Sequence, residues 1–314
     1  MNAHDFQILS KKFSPSLWQT WEWSEFQRQL GHEVVFLGHA QCLSLGIIKP
    51  LNRFFKYLEL PRGPLGHPDA EFWQEVKKIA KTYHCIMVSF SPSHPLESKP
   101  KRVFPSVFQH FPCESLFLDL SQNEEELLKQ MKPKGRYNIR IAQRHQIKIQ
   151  ESKDVNLFYP ILAETTKRDH FKGHNPIYYQ KMLNTFGDNA KMYLAYYFDE
   201  ISQKSEIIAG GIFIFTKDTA IYYYGASSDL HRDKMAPYLI QWQAIQEAKK
   251  RQILNYDFLG IAPENEEHHP LNGVSRFKRQ FGGREVNYPS VFDFPLVFSV
   301  YLLYWIYRFI RKYW

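Results

Sequence analysis

The sequence has few cysteines and none of the short motifs that mark the commonest nucleotide and nucleophile sites. Its 314 residues include only three cysteines, Cys42, Cys85 and Cys113, which lie far apart and form no CxxC or Cys/His spacing. This usage argues against a disulfide framework and a structural zinc site, and it indicates a reducing, cytoplasmic compartment. No GxSxG elbow, P-loop or GxGxxG occurs, so no enzyme class that depends on those motifs is indicated.

Long apolar runs are also lacking. The N-terminus, MNAHDFQILSKKFS, has no apolar core of signal-peptide length, so secretion is not expected. Residues 294–307 are uncharged and rich in aromatics, and Arg308, Arg311 and Lys312 follow. This stretch is shorter than the roughly 20 residues that a spanning helix needs. Two interpretations stay open: a terminal helix docked on a core, or a helix on a membrane surface with basic side chains at its polar boundary.

The composition is that of a folded, basic protein. Hydrophobic residues make up 44% of the chain and aromatics 16%, which is enough apolar matter for real cores and argues against disorder. The length suits two lobes of ordinary size. The net charge of +8 favours anionic partners such as nucleic acid, phosphorylated substrates or an acidic membrane face.

The second half of the chain shows helical and strand periodicities in a definite order. Residues 116–120 alternate as a strand does, and Ser121 with Glu124 predicts a capping box at the start of a helix. A basic helix, a strand, two helices, a three-strand meander, a helix and a strand follow, at 136–145, 147–150, 157–169, 177–186, 192–198, 207–216, 220–225, 236–251 and 254–259. A turn at 277–281 and a strand at 285–292 finish the lobe. This order resembles an α/β acyltransferase fold of the GNAT type.

The first half repeats this order in a shorter form. Strands are predicted at 34–38, 43–48 and 55–60, a helix at 70–82 and a strand at 85–90. Residues 91–112, between the halves, contain five prolines, which break helices and strands alike and predict a connection between two lobes.

The densest chemical signal is a basic segment. Residues 127–150 contain seven Lys and Arg residues and no acid. Arg136, Arg140 and Arg144 are spaced to lie on one helical face, and Pro133 and Gly135 predict a break just before it. Like charges on one face repel, so we interpret the face as phosphate-binding; the alternative is a solvated basic helix.

Several segments, taken in order, resemble the Fem (FemABX) family of non-ribosomal peptidyltransferases. LDLSQNEEELLKQMKPKGRYNIRIAQ is similar to the family's acidic helix followed by Lys and Arg residues and an R-Y-N-I-R segment. ETTKRDHFKGHNPIYYQKML, AGGIFIF, YYYGASS and FKRQFGGREVNYPSVFDFPL follow in the family's order, and PRGP in the first half resembles its RGP element. The resemblance covers most of the chain.

The resemblance implies two GNAT-like lobes with mixed sheets flanked by helices, the first lobe being completed by the C-terminus. The implied domains are residues 1–112 plus 290–314, and 113–289. The implied activity is the transfer of an amino acid from aminoacyl-tRNA to an amine on the stem peptide of a peptidoglycan precursor, UDP-linked or lipid-linked, without a cofactor. The cysteine usage predicts a cytoplasmic location, and the C-terminal stretch leaves peripheral contact with the inner membrane face open. The long helical hairpin of larger members is lacking.

The resemblance also implies a set of site residues. Phe277 and Lys278 match the family's Phe-Lys pair near the catalytic centre, where a fixed ammonium stabilises charge that develops on oxygen; an ordinary surface lysine is the alternative. Precursor binding maps onto Gln27, Arg28, Arg62, His174, Tyr178 and Tyr224. The tyrosines could equally be core-edge aromatics, and Arg62 could equally satisfy turn carbonyls.

Two other functions and one other kind of site are alternatives to this interpretation. An acyl-CoA enzyme needs backbone N–H groups in a glycine loop, but HRDKMAP, residues 231–237, has Met235 and Pro237 there. A non-catalytic membrane-surface or nucleic-acid-binding relative is the second rival. PENEEHHP, residues 263–270, invites a metal, yet adjacent histidines lack the spacing of helical metal pairs, so we expect a solvated loop and no metal.

Overall fold

The computed structural model describes residues 1–107, 109, 111–201, 203–266 and 268–313, with side chains described as far as residue 310. The chain forms two compact units. Unit 1 combines Met1–Cys113 with Asn287–Trp314, and unit 2 is Glu114–Val286. The limits drawn from the sequence, at residues 112/113 and 289/290, lie close to these. The C-terminal segment therefore belongs to the same unit as the N-terminal segment.

The chain runs through unit 1, then unit 2, and then returns. The first pass contains α1 (Ala3–Ser10), α2 (Trp21–Gln29), β1 (Glu33–His39), β2 (Cys42–Pro50), β3 (Lys56–Leu60), β4 (Leu65–Gly66), α3 (Ala70–Thr82), β5 (Cys85–Phe90) and β6 (Phe104–Pro105). Unit 2 contains β7 (Glu114–Asp119), α4 (Glu124–Gln130), α5 (Pro133–Arg144), β8 (Lys148–Ser152), α6 (Val155–Arg168), α7 (Pro176–Phe186), β9 (Ala190–Asp199), β10 (Lys204–Phe215), β11 (Thr219–Ser227), α8 (Ala236–Lys250), β12 (Asn255–Gly260), α9 (Asn272–Lys278) and β13 (Arg284–Asn287). The return to unit 1 is made by β14 (Phe292–Pro295) and α10 (Phe298–Tyr313).

Both units are built on the same strand pattern. In unit 1 the antiparallel meander β1-β2-β3 is followed by α3 and then by β5, which pairs parallel to β3 and antiparallel to β14. In unit 2 the meander β9-β10-β11 is followed by α8 and then by β12, which pairs parallel to β11 and antiparallel to β7. Two mixed sheets flanked by helices confirm the predicted fold class.

Local sequence explains the central crossover of unit 1. Helix α3 begins after Asp69, whose side chain accepts a hydrogen bond from the Phe72 N–H at 2.8 Å. Its buried face, which includes Phe72, Val76 and Ala80, has the four-residue spacing of an amphipathic helix. Strand β5 is buried at every position, as a parallel strand covered on both faces should be.

Unit 2 has its own apolar core. The core joins the sheet strands to α5, α8 and the turn after α9, through buried residues such as Leu118, Ile139, Ile245, Phe258 and Phe281. The core thereby holds the turn after α9 in place through Phe281. This matters because α9 carries Lys278, the candidate catalytic residue.

Three local predictions were wrong in detail. The capping box is formed by Asn123 and Glu126, because these two side chains exchange hydrogen bonds with each other's backbone N–H. Residues 285–292 do not form one strand, since β13 and β14 belong to different sheets with Pro289 between them. Helix α5 is not broken before Arg136: Pro133 occupies its first turn, where no N–H is needed.

Helix α10 packs on unit 1 by one side only. Tyr301 is buried against Tyr57, Ile86 and Met87, while Leu303 on the other side is 69% exposed. Among the described residues, no helix is long and apolar enough to cross a membrane.

The attachment of α10 includes a buried carboxyl group. Asp293 of β14 has no exposed surface; it accepts a hydrogen bond from the Ser89 hydroxyl at 2.9 Å and one from the Tyr301 hydroxyl at 3.3 Å. Burial raises the pKa of Asp293 to about 6. Folding therefore favours the protonated, neutral form of this carboxyl group.

We expect the stability of the protein to depend on the charge of Asp293. Because its folded pKa is raised, its contribution is fully present below about pH 4 and is lost as pH rises to about 6, by on the order of 2 kcal/mol. Asp293→Asn keeps a neutral acceptor and should lack this loss. Denaturant unfolding of both proteins between these pH values measures the difference, and parallel curves would contradict the assignment.

Candidate active site

Strands β11 and β12 separate partway along their length. They pair in parallel only at Thr219–Ile221 with Asn255–Asp257, and among the described residues no ladder pair joins their later parts. On its other side β12 has a register shift against β7 between Asp257 and Gly260, and Leu259 there adopts φ +55°. We call the region beyond the last β11–β12 ladder pair, which includes Leu259 and Gly260 of β12, the β11–β12 wedge.

The ammonium group of Lys278 lies at these carbonyls. Its Nζ donates to the Gly260 carbonyl at 2.7 Å and to the Leu259 carbonyl at 3.2 Å, and lies 5.9 Å from the ring centroid of Tyr222. Only 6% of Lys278 is exposed, and burial lowers its pKa to about 8. An ammonium has three N–H donors, so two carbonyls leave one donor for a substrate oxygen.

The residues around Lys278 fix its position. On one side the Ser275 hydroxyl accepts a hydrogen bond from the Ala262 N–H at 2.7 Å; on the other, Arg279 donates to the Ala262 carbonyl at 2.7 Å. Phe277 packs edge-on against Tyr238, with ring centroids 4.9 Å apart, and so anchors the helix in the core. The predicted pair Phe277 and Lys278 is thus an apolar anchor followed by a buried cation.

Sequence reasoning missed one charged residue beside this lysine. Asp257 of β12 is 4% exposed, accepts a short hydrogen bond from the Ser115 hydroxyl, and accepts another from the Leu259 N–H at 2.7 Å. Its charge raises the pKa of Lys278, though less than burial lowers it. The available signal was an acid in the middle of the apolar strand NYDFLG, where an unpaired charge is costly.

Three predicted binding residues come together in unit 2. The ring of His174 stacks on that of Tyr178 with centroids 3.7 Å apart, and the Tyr224 hydroxyl donates to the Tyr178 hydroxyl at 3.3 Å. Burial raises the pKa of Tyr178 to about 12 and raises the pKa of Tyr224 well above its usual value, so both hydroxyls keep their protons at neutral pH. Tyr179, which was not predicted, accepts a hydrogen bond from the His174 N–H at 3.0 Å.

The predicted basic face of α5 divides into two parts. The Arg136 guanidinium donates to carbonyls at the end of α4, including that of Lys129 at 3.2 Å and, more closely, that of Met131. It therefore caps α4. Arg140 and Arg144 are exposed to solvent.

The remaining predicted binding residues lie in unit 1. Gln27 is buried, and its side-chain oxygen lies 3.0 Å from His32 Nδ1. Arg28, one position further on α2, is exposed, forms an ion pair with Glu25 and lies 5.3 Å from the ring centroid of Phe36. Of these two, only Arg28 is available to solvent.

Arg62 is enclosed by aromatic rings and carbonyls. It is 3% exposed, lies 3.8 Å from the ring centroid of Tyr288 and donates to the Pro112 carbonyl at 2.8 Å. Its backbone has φ +51°, and its N–H donates to the Ser91 hydroxyl at 3.0 Å. This environment favours the interpretation that Arg62 satisfies turn carbonyls over the interpretation that it holds a phosphate.

Two other segments bear on the alternatives of an acyl-CoA donor and a metal ion. At the position of an acyl-CoA phosphate loop, helix α8 begins after Met235, which has φ +56°. Pro237 lies in the first turn of α8 and has no N–H to donate to a phosphate. The described residues contain no cluster of His, Cys, Asp and Glu able to hold a metal ion. Of the PENEEHHP segment, Glu267 lies outside the described residues.

Comparison with known proteins gives the family of this chain. Residues 112–204 and 197–312 match the FemAB family. The chain belongs to the FemAB family. It is 19% identical over 358 aligned residues to the aminoacyltransferase FemA of Staphylococcus aureus strain bovine RF122 / ET3-1, covering 84% of this chain and 85% of FemA. FemA of Staphylococcus epidermidis RP62A is 20% identical, with the same coverage. These matches confirm the predicted family and the predicted enzyme class, an aminoacyltransferase.

Solved structures agree on the fold. FemX superposes with a TM-score of 0.81 at 15% identity, covering 96% of this chain and 98% of FemX. The C-terminal domain of a putative lysylphosphatidylglycerol synthetase from Agrobacterium fabrum reaches a TM-score of 0.58 at 12% identity. The alignment with FemA is longer than this chain, so FemA has segments without counterparts here. In the described part of unit 2 the longest helix is α8, with 15 residues.

Gly135 provides a test of how the turn after Lys278 is supported. A Cβ at Gly135 would lie 2.4 Å from the backbone oxygen of Gln280, so α5 approaches that turn as closely as glycine allows. Gly135→Ala should lower the free energy of unfolding by about 1–3 kcal/mol, because backbone would have to move. Gly273→Ala is the matched control: its Cβ meets nothing within 4 Å, and alanine should be neutral or favourable in helix α9. Equal denaturant midpoints for the two variants would refute the close packing.

Proposed function

We propose that this aminoacyltransferase moves an aminoacyl group from tRNA to an amine on the stem peptide of a peptidoglycan precursor. The observation that carries the proposal is the buried ammonium of Lys278 in the β11–β12 wedge, with one donor left over from two carbonyls. Family membership supports aminoacyl transfer. The donor, the acceptor and the roles of individual residues are parts of the proposal.

The reaction needs a stabiliser of negative charge. The substrate amine attacks the ester carbonyl, a C–N bond forms, and the carbonyl oxygen becomes an oxyanion. As this intermediate collapses, the C–O bond to the ribose breaks and the proton from the amine goes to the ribose oxygen. The third N–H of Lys278 donates to the oxyanion or to the departing oxygen, in a site from which water is largely excluded. No enzyme-bound covalent intermediate is required.

The aromatic group of unit 2 suits the acceptor. His174 and Tyr178 form a stacked pair, and Tyr224 adds a neutral hydroxyl 3.3 Å from that of Tyr178. Such a surface can hold a sugar face and donate hydrogen bonds to phosphate or amide oxygens. We assign it to the UDP-linked or lipid-linked muropeptide. In unit 1, considered by itself, Arg28 of α2 is the exposed candidate for a phosphate contact.

The exposed part of the basic face of α5 can bind the aminoacyl donor, tRNA. Arg140 and Arg144 lie four residues apart on one side of the helix and both face solvent. Exposed arginines at this spacing can pair with successive phosphates of tRNA. The protein would work in the cytoplasm, peripherally at the inner face of the membrane.

The central test is transfer of a labelled amino acid from a charged tRNA pool to purified UDP-linked and lipid-linked precursors. Lys278→Met should lower the rate about 10²–10³-fold, as the loss of one oxyanion-hole donor does in other enzymes. Arg276→Met removes an exposed cation from the same helix and should have little effect. If neither precursor accepts label from wild type, the proposed reaction is wrong.

The pH profile separates two roles for Lys278. Since its pKa is lowered to about 8, an electrostatic role predicts that the rate falls above pH 8, as the ammonium loses its proton. Lys278→Arg keeps a cation at all these pH values and should remove the fall. A rate that instead rises through pH 8 in wild type would identify the neutral amine as a general base.

The α5 face is tested by charge reversal. Arg140→Glu combined with Arg144→Glu should weaken use of aminoacyl-tRNA on the order of tenfold and make it less sensitive to salt, because fewer counterions are released on binding. Lys217→Glu with Lys250→Glu makes the same change in charge at exposed positions elsewhere in unit 2. Equal KM values for tRNA in the two double variants would remove α5 from the donor site.

A further inference from the structure

Helix α10 presents a largely apolar surface to solvent, with the exposed Ser299 in its first turn. Its exposed apolar residues recur at spacings that place them on one half of the helix, which we call the outer face: Phe298, Leu302, Leu303, Ile306, Tyr307, Phe309 and Ile310. Each is between 42% and 69% exposed. A surface helix normally turns polar residues outward, so an apolar outer face indicates a partner that covers it.

The inner side of α10 is already occupied. Tyr301, with Val300, Tyr304 and Trp305 beside it, packs on the cluster formed by Tyr57, Ile86 and Met87. The Tyr301 hydroxyl also bonds to buried Asp293. The helix is thus held sideways on unit 1, with its length along the surface, and can offer only its outer face.

A second exposed apolar side chain lies next to the cluster that supports α10. Leu51 and Phe55 pack into the cluster that supports α10, and the Leu51 N–H donates to the Phe55 carbonyl at 2.7 Å. Between them Phe54 projects into solvent with 72% of its surface exposed. The cation of Arg53 lies 4.5 Å from the ring centroid of Phe54. We call residues 51–55 the Phe54 loop.

The charged residues within these two segments all have one sign. Residues 294–314 contain Arg308, Arg311 and Lys312 and no acid. Residues 49–56 likewise contain no acid, and Arg53 and Lys56 in them are exposed. A second copy of the chain would bring these cations against their own equivalents, which is unfavourable. An anionic lipid surface complements both the apolar face and the cations.

We propose that the outer face of α10 and the Phe54 loop insert together into the headgroup region of an anionic lipid bilayer. The apolar side chains enter the boundary of the acyl chains, and the arginines and lysines meet lipid phosphates. This deepens the membrane location proposed above by giving it a surface. Unit 1 would then hold the protein where a lipid-linked acceptor is found.

Flotation with lipid vesicles tests the docking without any substrate. The full chain should float with vesicles of mixed phosphatidylglycerol and phosphatidylcholine and bind more weakly to phosphatidylcholine alone, and added salt should lower binding to the anionic vesicles. Leu303→Glu, at the most exposed position of α10, should reduce the bound fraction about tenfold or more. Phe54→Glu changes the second segment independently and should also reduce it.

The controls decide between a membrane and other occupants. Ile201→Glu makes the same charge change at an exposed aliphatic residue in unit 2 and should float as wild type does. No flotation of wild type, or equal loss in all three variants, would overturn the proposal. So would a wild-type dimer in solution that Leu303→Glu converts to monomer, because α10 would then bind a second copy. The flotation assay contains no tRNA or muropeptide, so a negative result in it would not contradict the proposed transfer reaction. A negative transfer assay would likewise not contradict the proposed binding to vesicles.

Discussion

Strand β5 is buried and must pair with a neighbouring strand on both edges, and this requirement explains why unit 1 is built from two separate segments of the chain. All six residues of β5 are buried, so an unpaired edge would leave backbone N–H and C=O groups without water or a partner. Strand β3 covers one edge, and β14, which comes after the whole of unit 2, covers the other. Unit 1 is therefore discontinuous in sequence. The same return brings Asp293 into the core and leaves α10 on its surface.

The two units solve the same pairing problem with different consequences for chemistry. In unit 1 the parallel pair β3–β5 extends over the full length of β3, and Ser91 continues it by donating its N–H to the Leu60 carbonyl. In unit 2 the parallel pair β11–β12 stops after Ile221 and Asp257. Carbonyls beyond that point need another donor, and Lys278 supplies it. The repeated pattern thus gives a closed sheet in unit 1 and an open wedge in unit 2, which is why we place the chemistry in unit 2.

The fold was largely predictable, whereas the site was predictable only through its resemblance to a family. Residues 70–82 and 85–90 were predicted with the bounds that α3 and β5 have, because a helix with a regular buried face and a fully apolar strand leave strong periodicities. The strand at 285–292 failed because periodicity does not show that a chain changes sheets. Lys278 had no signal of its own, because its hydrogen-bond partners are the backbone carbonyls of Leu259 and Gly260, and side-chain patterns do not report backbone partners. The association of His174 and Tyr178 with Tyr224 is equally non-local. Strands β9 and β10 lie between α7 and β11 in the sequence, and only the fold brings the three side chains together.

The manner in which Lys278 is buried bears on what it can do. A lysine buried against a carboxylate forms a neutral pair, and its field is largely cancelled. Here the nearest groups are two carbonyl dipoles, which orient the ammonium without cancelling its charge. Asp257 is engaged by Ser115 and by the Leu259 N–H, so much of its hydrogen-bonding capacity is already used. The desolvation that lowers the pKa of Lys278 to about 8 also removes the water that would screen it. A buried cation held in this way lowers the stability of the protein while no substrate is bound. It interacts most strongly with a negative charge that forms beside it, and an oxyanion is such a charge.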